Sequence, residues 1–238
     1  MIEYRNVSKK YGKNIGVSNI SLRIEDGEFV FLVGPSGAGK STFVKLLLKM
    51  VDADRGRIIY NGYDVTKLKP RLVPKHRRSM GIVFQNFEML PKKTVFENIA
   101  FAMEIVQRPR RVIKKQVPKI LELVGISDSA KKYPNEISIG ELQRVAIARA
   151  IINNPRVLIA DEPTGNLDPD TGWEIMRLLE QINRRGTTVI MVTHSREIVN
   201  AMNKRVIAIK DGRLVRDEVG GLYHPEEIGD PSPDEEGE

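Results

Sequence analysis

One short segment limits the fold of this chain more than any other: Gly34-Pro-Ser-Gly-Ala-Gly-Lys-Ser41. It directly follows the apolar run FVFLV and precedes a helical pattern that begins at Lys40. Glycines at these spacings let backbone N–H groups wrap around phosphates, and the N-terminus of a following helix adds positive potential. Lys40 can reach the terminal phosphates, and the Ser41 hydroxyl can bind Mg²⁺. The segment predicts a phosphate-binding P-loop; the flanking strand and helix count against a glycine-rich turn.

The rest of the chain alternates short apolar runs with longer helical patterns, which is typical of an α/β fold with a mainly parallel sheet. Residues 2–33 predict three strands, and the runs at 157–160, 187–192 and 206–209 predict strands buried on both faces. Between about residues 87 and 153 the pattern becomes helical, which indicates a helical subdomain inserted in the core. The acidic segment 225–238 predicts a disordered tail.

Composition excludes several classes of protein. The chain of 238 residues has no cysteine and three histidines that lie far apart in sequence, which removes disulfides, thiol nucleophiles and a His-rich metal cluster. No stretch approaches the roughly 18 uncharged apolar residues of a membrane-spanning helix, and the first residues lack the apolar core of a signal peptide. We therefore expect a cytoplasmic protein.

The net charge of +7 hides two unlike parts. Thirty-eight Lys and Arg oppose 31 Asp and Glu, but residues 225–238 hold seven of the acids and no base, so residues 1–224 carry +14. Two segments, 67–78 and 108–119, each hold six bases and no acid. They are either solvated faces or a basic rim toward anionic lipid.

A pair of carboxylates, Asp161 and Glu162, directly follows the apolar run VLIA. Carboxylates at the carboxyl end of a buried strand lie where open α/β sheets bind ligands, and their burial calls for a cation or a reaction. Asp161 would hold Mg²⁺, directly or through water, and Glu162 would polarise an attacking water. Alone, the pair is equally consistent with a helix N-cap. Together with the P-loop, it favours nucleotide hydrolysis.

These motifs stand in an order that resembles the nucleotide-binding subunit of ABC-type ATPases over residues 1–216. The further matching segments are IVFQN, ISIGELQRVAIARA, NLD and VTHS. The resemblance implies a P-loop NTPase core with an N-terminal antiparallel β subdomain and an inserted helical subdomain. It also implies binding and hydrolysis of ATP with Mg²⁺, and ATP contacts from the P-loop residues Gly34, Pro35, Ser36, Gly37, Ala38, Gly39, Lys40, Ser41 and Thr42.

Three residues outside the P-loop acquire roles from the resemblance. Tyr11 stands where the family has an aromatic residue that stacks on adenine, although a surface tyrosine before a glycine turn is the alternative. Gln85 matches the glutamine that reaches Mg²⁺ and the attacking water. His194 matches the histidine that contacts the γ-phosphate, where a lone histidine would otherwise be a core or capping residue.

The family's signature segment is altered in this chain. In the family it reads Leu-Ser-Gly-Gly-Gln, whereas this chain has Ile137-Ser-Ile-Gly-Glu141. The resemblance implies that Ser138, Gly140, Glu141 and Asp168 contact the nucleotide of a second subunit, so that ATP closes a homodimer. Ile139 replaces a glycine, and a β-branched residue takes positive φ poorly and needs more room. We expect an active but slower ATPase; a scaffold that binds ATP without turnover is the alternative.

Within the family, TGNLD and residues 77–106 resemble ATPases of cell division that pair with an integral membrane protein of FtsX type. This implies a peripheral location on the cytoplasmic face of the membrane, with contact to anionic lipid. A socket for the partner's helix would include some of six apolar residues, Met80, Phe84, Phe87, Met89, Leu90 and Phe101.

Other functions of the same fold remain open. Lipoprotein-release ATPases and macrolide or peptide exporter ATPases share TGNLD. A soluble ATPase acting on nucleic acid would suit the basic body, but only 6% of the residues are aromatic and no zinc module or coiled-coil insertion is present. Nucleic acid is therefore disfavoured as a partner.

Overall fold

The computed structural model describes residues 1–224, and the predicted disordered tail, 225–238, lies outside the described residues. The chain divides into two compact units, Met1–Arg77 with the chain from Ile190 onward, and Arg78–Val189. The elements follow in the order β1 (Ile2–Tyr11), β2 (Asn14–Ile24), β3 (Phe29–Val33), α1 (Lys40–Leu47), β4 (Arg55–Tyr60), β5 (Tyr63–Asp64), α2 (Val73–Arg77), β6 (Met80–Val83), α3 (Val95–Ile105), α4 (Arg110–Val124), α5 (Ile139–Ile151), β7 (Val157–Asp161), α6 (Pro169–Arg184), β8 (Thr188–Val192), α7 (Arg196–Met202), β9 (Arg205–Lys210) and β10 (Arg213–Glu218).

The first unit contains an antiparallel sheet in the order β2-β1-β4-β5. Tyr4 of β1 lies opposite Leu22 of β2 and Ile58 of β4, and all three side chains are buried. The Tyr4 ring stacks on Phe43 of α1 with ring centroids 4.2 Å apart, and its hydroxyl donates to the Phe43 carbonyl. This packing fixes the antiparallel sheet against the helix that follows the P-loop.

The same unit contains neighbouring strands in the order β10-β9-β3-β8, of which β3 and β9 are parallel. Every residue of β3 is buried, and Val33 lies opposite Ala208 of β9. A strand buried on both faces needs a continuous apolar sequence, which accounts for FVFLV. The end of β3 thereby delivers the P-loop to the carboxyl edge of the strands.

In the second unit, β6 and β7 pair in parallel, with Met80 opposite Val157. Helices α3, α4 and α5 lie between these strands in the chain, and α5 packs against the other two. The apolar face of α4 is buried, whereas its charged face, which includes Lys114 and Lys115, is exposed. The three helices fall inside the predicted helical subdomain of about residues 87–153, whose bounds remain a prediction.

The α/β class and the strands predicted at 157–160, 187–192 and 206–209 are confirmed, with small shifts at their ends. The sequence did not predict β4, β5, β6 or β10. No helix within residues 1–224 has the length and apolar character needed to cross a membrane.

Candidate functional site

The P-loop joins β3 to α1 in the first unit. Gly34 has φ +145°, and a Cβ atom on it would lie 2.0 Å from the carbonyl oxygen of Ile209. Only glycine therefore permits the turn that leaves β3 at this point. Gly37 and Gly39 also have positive φ, so the loop coils into the start of α1.

Lys40 folds back over this loop. Its side chain is buried, and its Nζ donates to the carbonyl oxygens of Gly34 at 2.5 Å and Pro35 at 2.9 Å. The first turn of α1 has no acidic residue, and no side chain caps it. The N–H groups and the macrodipole of α1 thus combine with one ammonium group to make an anion-binding end. Ser41 is exposed on the same turn.

Tyr11 lies beside the start of α1 because Gly16 has no side chain. A Cβ on Gly16 would lie 2.8 Å from Cε2 of Tyr11 and 2.9 Å from Cγ2 of Thr42. Tyr11 is 43% exposed, so part of the residue remains available to a ligand. Tyr11 and Thr42, two of the residues to which the resemblance assigns ATP contacts, thus both lie beside Gly16. Gly16 was missed, although a glycine within a strand signals a close approach.

His194 lies just beyond β8. The preceding residue, Thr193, is buried, and its backbone N–H donates to the carbonyl of Leu32 in β3 at 3.4 Å. The following residue, Ser195, accepts the backbone N–H of Ile198 and caps α7. His194 itself is exposed between these two anchored neighbours, near the strand end that leads into the P-loop.

Asp161 ends β7 in the second unit, Glu162 directly follows it, and both residues are half-buried. Glu162 has φ +48°, a left-handed conformation that is uncommon for a residue with a Cβ. Its carbonyl accepts the N–H of Gly165, which closes a turn. Strained backbone of this kind is concentrated at functional positions, because it gives a side chain an orientation that regular secondary structure does not provide.

The N-terminus of α5 carries the signature segment. Ser138 caps it by accepting the Glu141 N–H at 3.2 Å, and the Glu141 carboxylate accepts the Ser138 N–H at 2.9 Å. The hydroxyl of buried Ser129 donates to the other carboxylate oxygen at 2.5 Å. Hydrogen bonds from Ser129 and then Ser138 lower the pKa of Glu141. Glu141 is therefore an anion that fixes the signature serine.

Asp168 caps α6 by accepting the Thr171 N–H at 3.0 Å, and hydrogen bonds from Thr171 lower its pKa. Asp168 lines an open groove of about 480 Å³ together with the signature residues Ser138, Gly140 and Glu141. All four residues that the resemblance assigns to a second subunit's nucleotide thus share one surface of this unit.

Ile139 also lines this groove and is 52% exposed. It is the first residue of α5, and its φ is not positive. The expected backbone strain at Ile139 is therefore absent, because the position is helical and tolerates a side chain. The second expectation, that the Ile139 side chain needs more room than a glycine, is unchanged.

Gln85 is exposed just beyond the end of β6. Two residues of the following segment, Phe87 and Glu88, have φ +52° and +50°. The guanidinium of Arg149 on α5 donates to their carbonyl oxygens at 2.5 and 2.6 Å. Burial lowers the pKa of Arg149, so this cation depends on those carbonyls for its solvation. The segment after Gln85 is thereby tied to the helix that carries the signature.

Comparison with known proteins identifies the family. Residues 17–165, more than half of the chain, match the ABC transporter family. The chain belongs to the ABC transporter family. Its relatives include the cell division ATP-binding proteins FtsE of Streptococcus pneumoniae and Bacillus subtilis, each 54% identical over 94% of this chain, and covering 97% and 98% of their own lengths. The FtsE of Mycobacterium tuberculosis is 51% identical, also over 94% of this chain and 98% of its own.

Solved ABC cassettes also match most of the chain. The dimeric post-hydrolysis state of the ATP-binding cassette MJ0796 bound to ADP and Pi has a TM-score of 0.83 and 34% identity, over 94% of this chain and all of its own. The predicted ABC ATPase fold and the resemblance to the cell-division group are confirmed. The chain is an ABC-type ATPase that binds and hydrolyses ATP.

Proposed function

We propose that this ATPase is a peripheral subunit of a cell-division complex on the cytoplasmic face of the membrane. Its integral membrane partner is of FtsX type, and closure of an ATP-bound dimer is relayed across the membrane to activate cell-wall hydrolases. The observation that carries this proposal is the 54% identity to FtsE proteins across 94% of the chain. The exporter and lipoprotein-release alternatives share the motifs but lack this match among the relatives described above.

In this proposal each site residue has a distinct role. The Tyr11 ring stacks on adenine, while Lys40 and the P-loop N–H groups bind the phosphates. Glu162 accepts a proton from the attacking water, and His194 donates a hydrogen bond to the γ-phosphate. Gln85 orients the same water through its amide. The position of Glu162, half-buried and directly after the buried strand β7, supports its assignment as the base.

Mg²⁺ fits the donors that the chain offers. Ser41, Gln85 and Asp161 supply hydroxyl, amide and carboxylate oxygens, the ligand types that this hard cation prefers. These residues would hold the ion, which when bound neutralises charge on the phosphate oxygens. This set does not suit a soft metal, because all three donors are oxygen atoms.

The active assembly in this proposal is an ATP-dependent homodimer. Ser138, Gly140, Glu141 and Asp168 of each subunit contact the nucleotide held by the other. Their common groove supports this role, as do the dimeric MJ0796 structures, which are 34% and 35% identical to this chain.

The partner socket in this proposal is the segment 84–90 together with α3. Phe84 is 41% exposed, and Phe87, Met89 and Leu90 are half-buried, whereas Met80 is buried and serves the core. An apolar helix of the membrane protein would cover the exposed rings. The exposed bases of 108–119 would then add only salt-screened attraction to anionic lipid.

Met89→Glu tests this socket. A charge there should abolish recovery of the membrane partner from detergent-solubilised membranes, because burial of an unpaired carboxylate opposes docking. Calorimetry should show unchanged ATP affinity. Lys92→Glu, at an exposed position nearby, controls for the change of charge. Equal recovery of the partner by Met89→Glu and the unaltered protein would refute the socket.

A further inference from the structure

Lys9 lies over the ring of Tyr11. The two residues alternate along β1 and so project on the same face, with Lys9 opposite Val17 and Tyr11 opposite Asn14 of β2. The Nζ atom of Lys9 lies 5.7 Å from the centroid of the Tyr11 ring. This separation is within the range in which an ammonium group is attracted to an aromatic face.

Asp54 holds this lysine in place. One carboxylate oxygen accepts from Lys9 Nζ at 2.9 Å, and the other accepts the backbone N–H of Lys10 at 2.7 Å. The Asp54 N–H in turn donates to the carbonyl of Ser8 at 2.9 Å. The Lys9 ammonium, followed by the Lys10 N–H, lowers the pKa of Asp54, which keeps it ionised. Asp54 is thus clamped to β1 on both sides.

The lysine is unusually restricted for its type. Its side chain is only 17% exposed, so most of its aliphatic stem packs against the protein while the ammonium is shared between Asp54 and the ring. The Tyr11 ring also has an edge against Gly16, as described above. Two contacts therefore fix a ring that stands at the end of a strand beside a turn.

We infer that Lys9, positioned by Asp54, fixes the Tyr11 ring as a stacking platform for the base of the nucleotide. Lys9 is a positioning residue: it acts through Tyr11 and contacts no phosphate. A ring held before binding loses less conformational freedom when the base stacks, so preorganisation raises affinity. This inference rests on the proposed contact between Tyr11 and adenine and adds the residues that make the contact effective.

The test compares two ligands that differ by the nucleoside. Calorimetry with Mg²⁺ measures the affinity for ATP and for inorganic tripolyphosphate, which offers phosphates and no base. Tyr11→Ala should weaken ATP binding about tenfold, the size of a lost base stack. Lys9→Met keeps most of the stem and removes the charge, and it should weaken ATP binding about threefold. Neither variant should change tripolyphosphate affinity, which also shows that each is folded.

Two further variants define the mechanism. Lys9→Arg keeps a cation over the ring and should restore ATP affinity. Asp54→Asn keeps an acceptor for the Lys10 N–H but loses the ion pair, and it should weaken ATP binding as Lys9→Met does. Lys10→Met is the matched control, since Lys10 is exposed on the other face of β1 and loses the same charge. It should leave both affinities unchanged.

The outcomes distinguish the role of Lys9 from the stacking of the base on Tyr11. If Tyr11→Ala lowers ATP affinity selectively and Lys9→Met does not, the role of Lys9 is overturned and base stacking stands. If Lys9→Met weakens ATP and tripolyphosphate equally, lysine acts through general charge or stability, and the inference is again overturned. If Tyr11→Ala changes neither affinity, the proposed stacking contact fails and the inference fails with it.

Discussion

Glu162 is the single residue on which the proposed chemistry most depends. Its backbone is left-handed at φ +48°, which costs about 1–3 kcal/mol in strain. The chain tolerates this cost at a carboxylate that directly follows the buried strand β7. The position thus combines a base with an arrangement that regular structure would not supply.

Glu162→Gln should keep ATP binding and lose hydrolysis by at least about 100-fold, because an amide cannot accept the proton from water. Calorimetry measures the first quantity and phosphate release the second. Glu122→Gln, an exposed glutamate on α4, is the matched control and should retain full turnover. Turnover by Glu162→Gln at the unaltered rate would assign the base to another residue.

We expect His76 to make the free energy of unfolding depend on pH. Its Nε2 lies 2.6 Å from the carbonyl oxygen of Leu47, which can only accept, so Nδ1 accepts from the Tyr63 hydroxyl at 2.8 Å. This neutral ring is buried, and burial, followed by the charges of Arg77 and Lys49, lowers its pKa.

Because the folded pKa of His76 is lowered, the unfolded chain binds the proton more readily as the pH falls. The free energy of unfolding therefore decreases as the pH drops through the ordinary histidine range near 6.5 toward the folded pKa. Urea unfolding at about pH 7.5 and about pH 5 should show a larger decrease for the unaltered protein than for His76→Gln. Equal decreases would show that His76 does not contribute.

The clamp around Tyr11 shows what single residues do not reveal before folding. The role of Tyr11 was predicted from the family resemblance alone, and Lys9 and Asp54 are 45 residues apart and meet only through the pairing of β1 with β4. A glycine within a strand, such as Gly16, indicates that another group approaches closely, but the sequence does not show which group that is. Such contacts depend on register, which local pattern does not specify.

At the scale of elements, apolar continuity made four of the predicted strands detectable in the sequence. Strands β3, β7, β8 and β9 are buried on both faces and stand out as unbroken runs. Strand β10 reads RLVRDE and is exposed along much of its length, so a charged surface segment looks the same in sequence. In β4, three exposed residues precede the buried ones, and the alternation is too short to detect.

Helix α5 is joined to the segment after β6 by hydrogen bonds whose contribution to the free energy of unfolding can be measured. Arg149 donates to the carbonyls of Phe87 and Glu88, and hydrogen bonds from a charged group contribute about 1.5–3 kcal/mol. Arg149→Met should lower the free energy of unfolding by about 2 kcal/mol in urea denaturation. Arg184→Met, which removes an exposed pair with Glu180, should lower it by about 0.5 kcal/mol or less. Similar losses would remove the special role of Arg149.

At the scale of the whole molecule, the P-loop and the signature groove belong to different compact units of one chain. In the proposed dimer, the P-loop and the signature groove of one chain would contact different nucleotides, so that ATP is the substrate and also holds the two subunits together. The order of motifs predicted this arrangement only through resemblance, since no pattern in one sequence states that a groove completes another subunit's site.

Mixing two inactive variants tests the composite site most directly. Lys40→Ala removes the cation of the P-loop and leaves the signature intact, whereas Ser138→Arg does the reverse. Differently tagged subunits allow the mixed dimer to be isolated with ATP before phosphate release is measured. Each pure variant should be inactive, and the mixed dimer should recover activity above either background, because one of its two sites has an intact P-loop and an intact signature. Activity in either pure variant, or none in the isolated mixed dimer, would contradict the account.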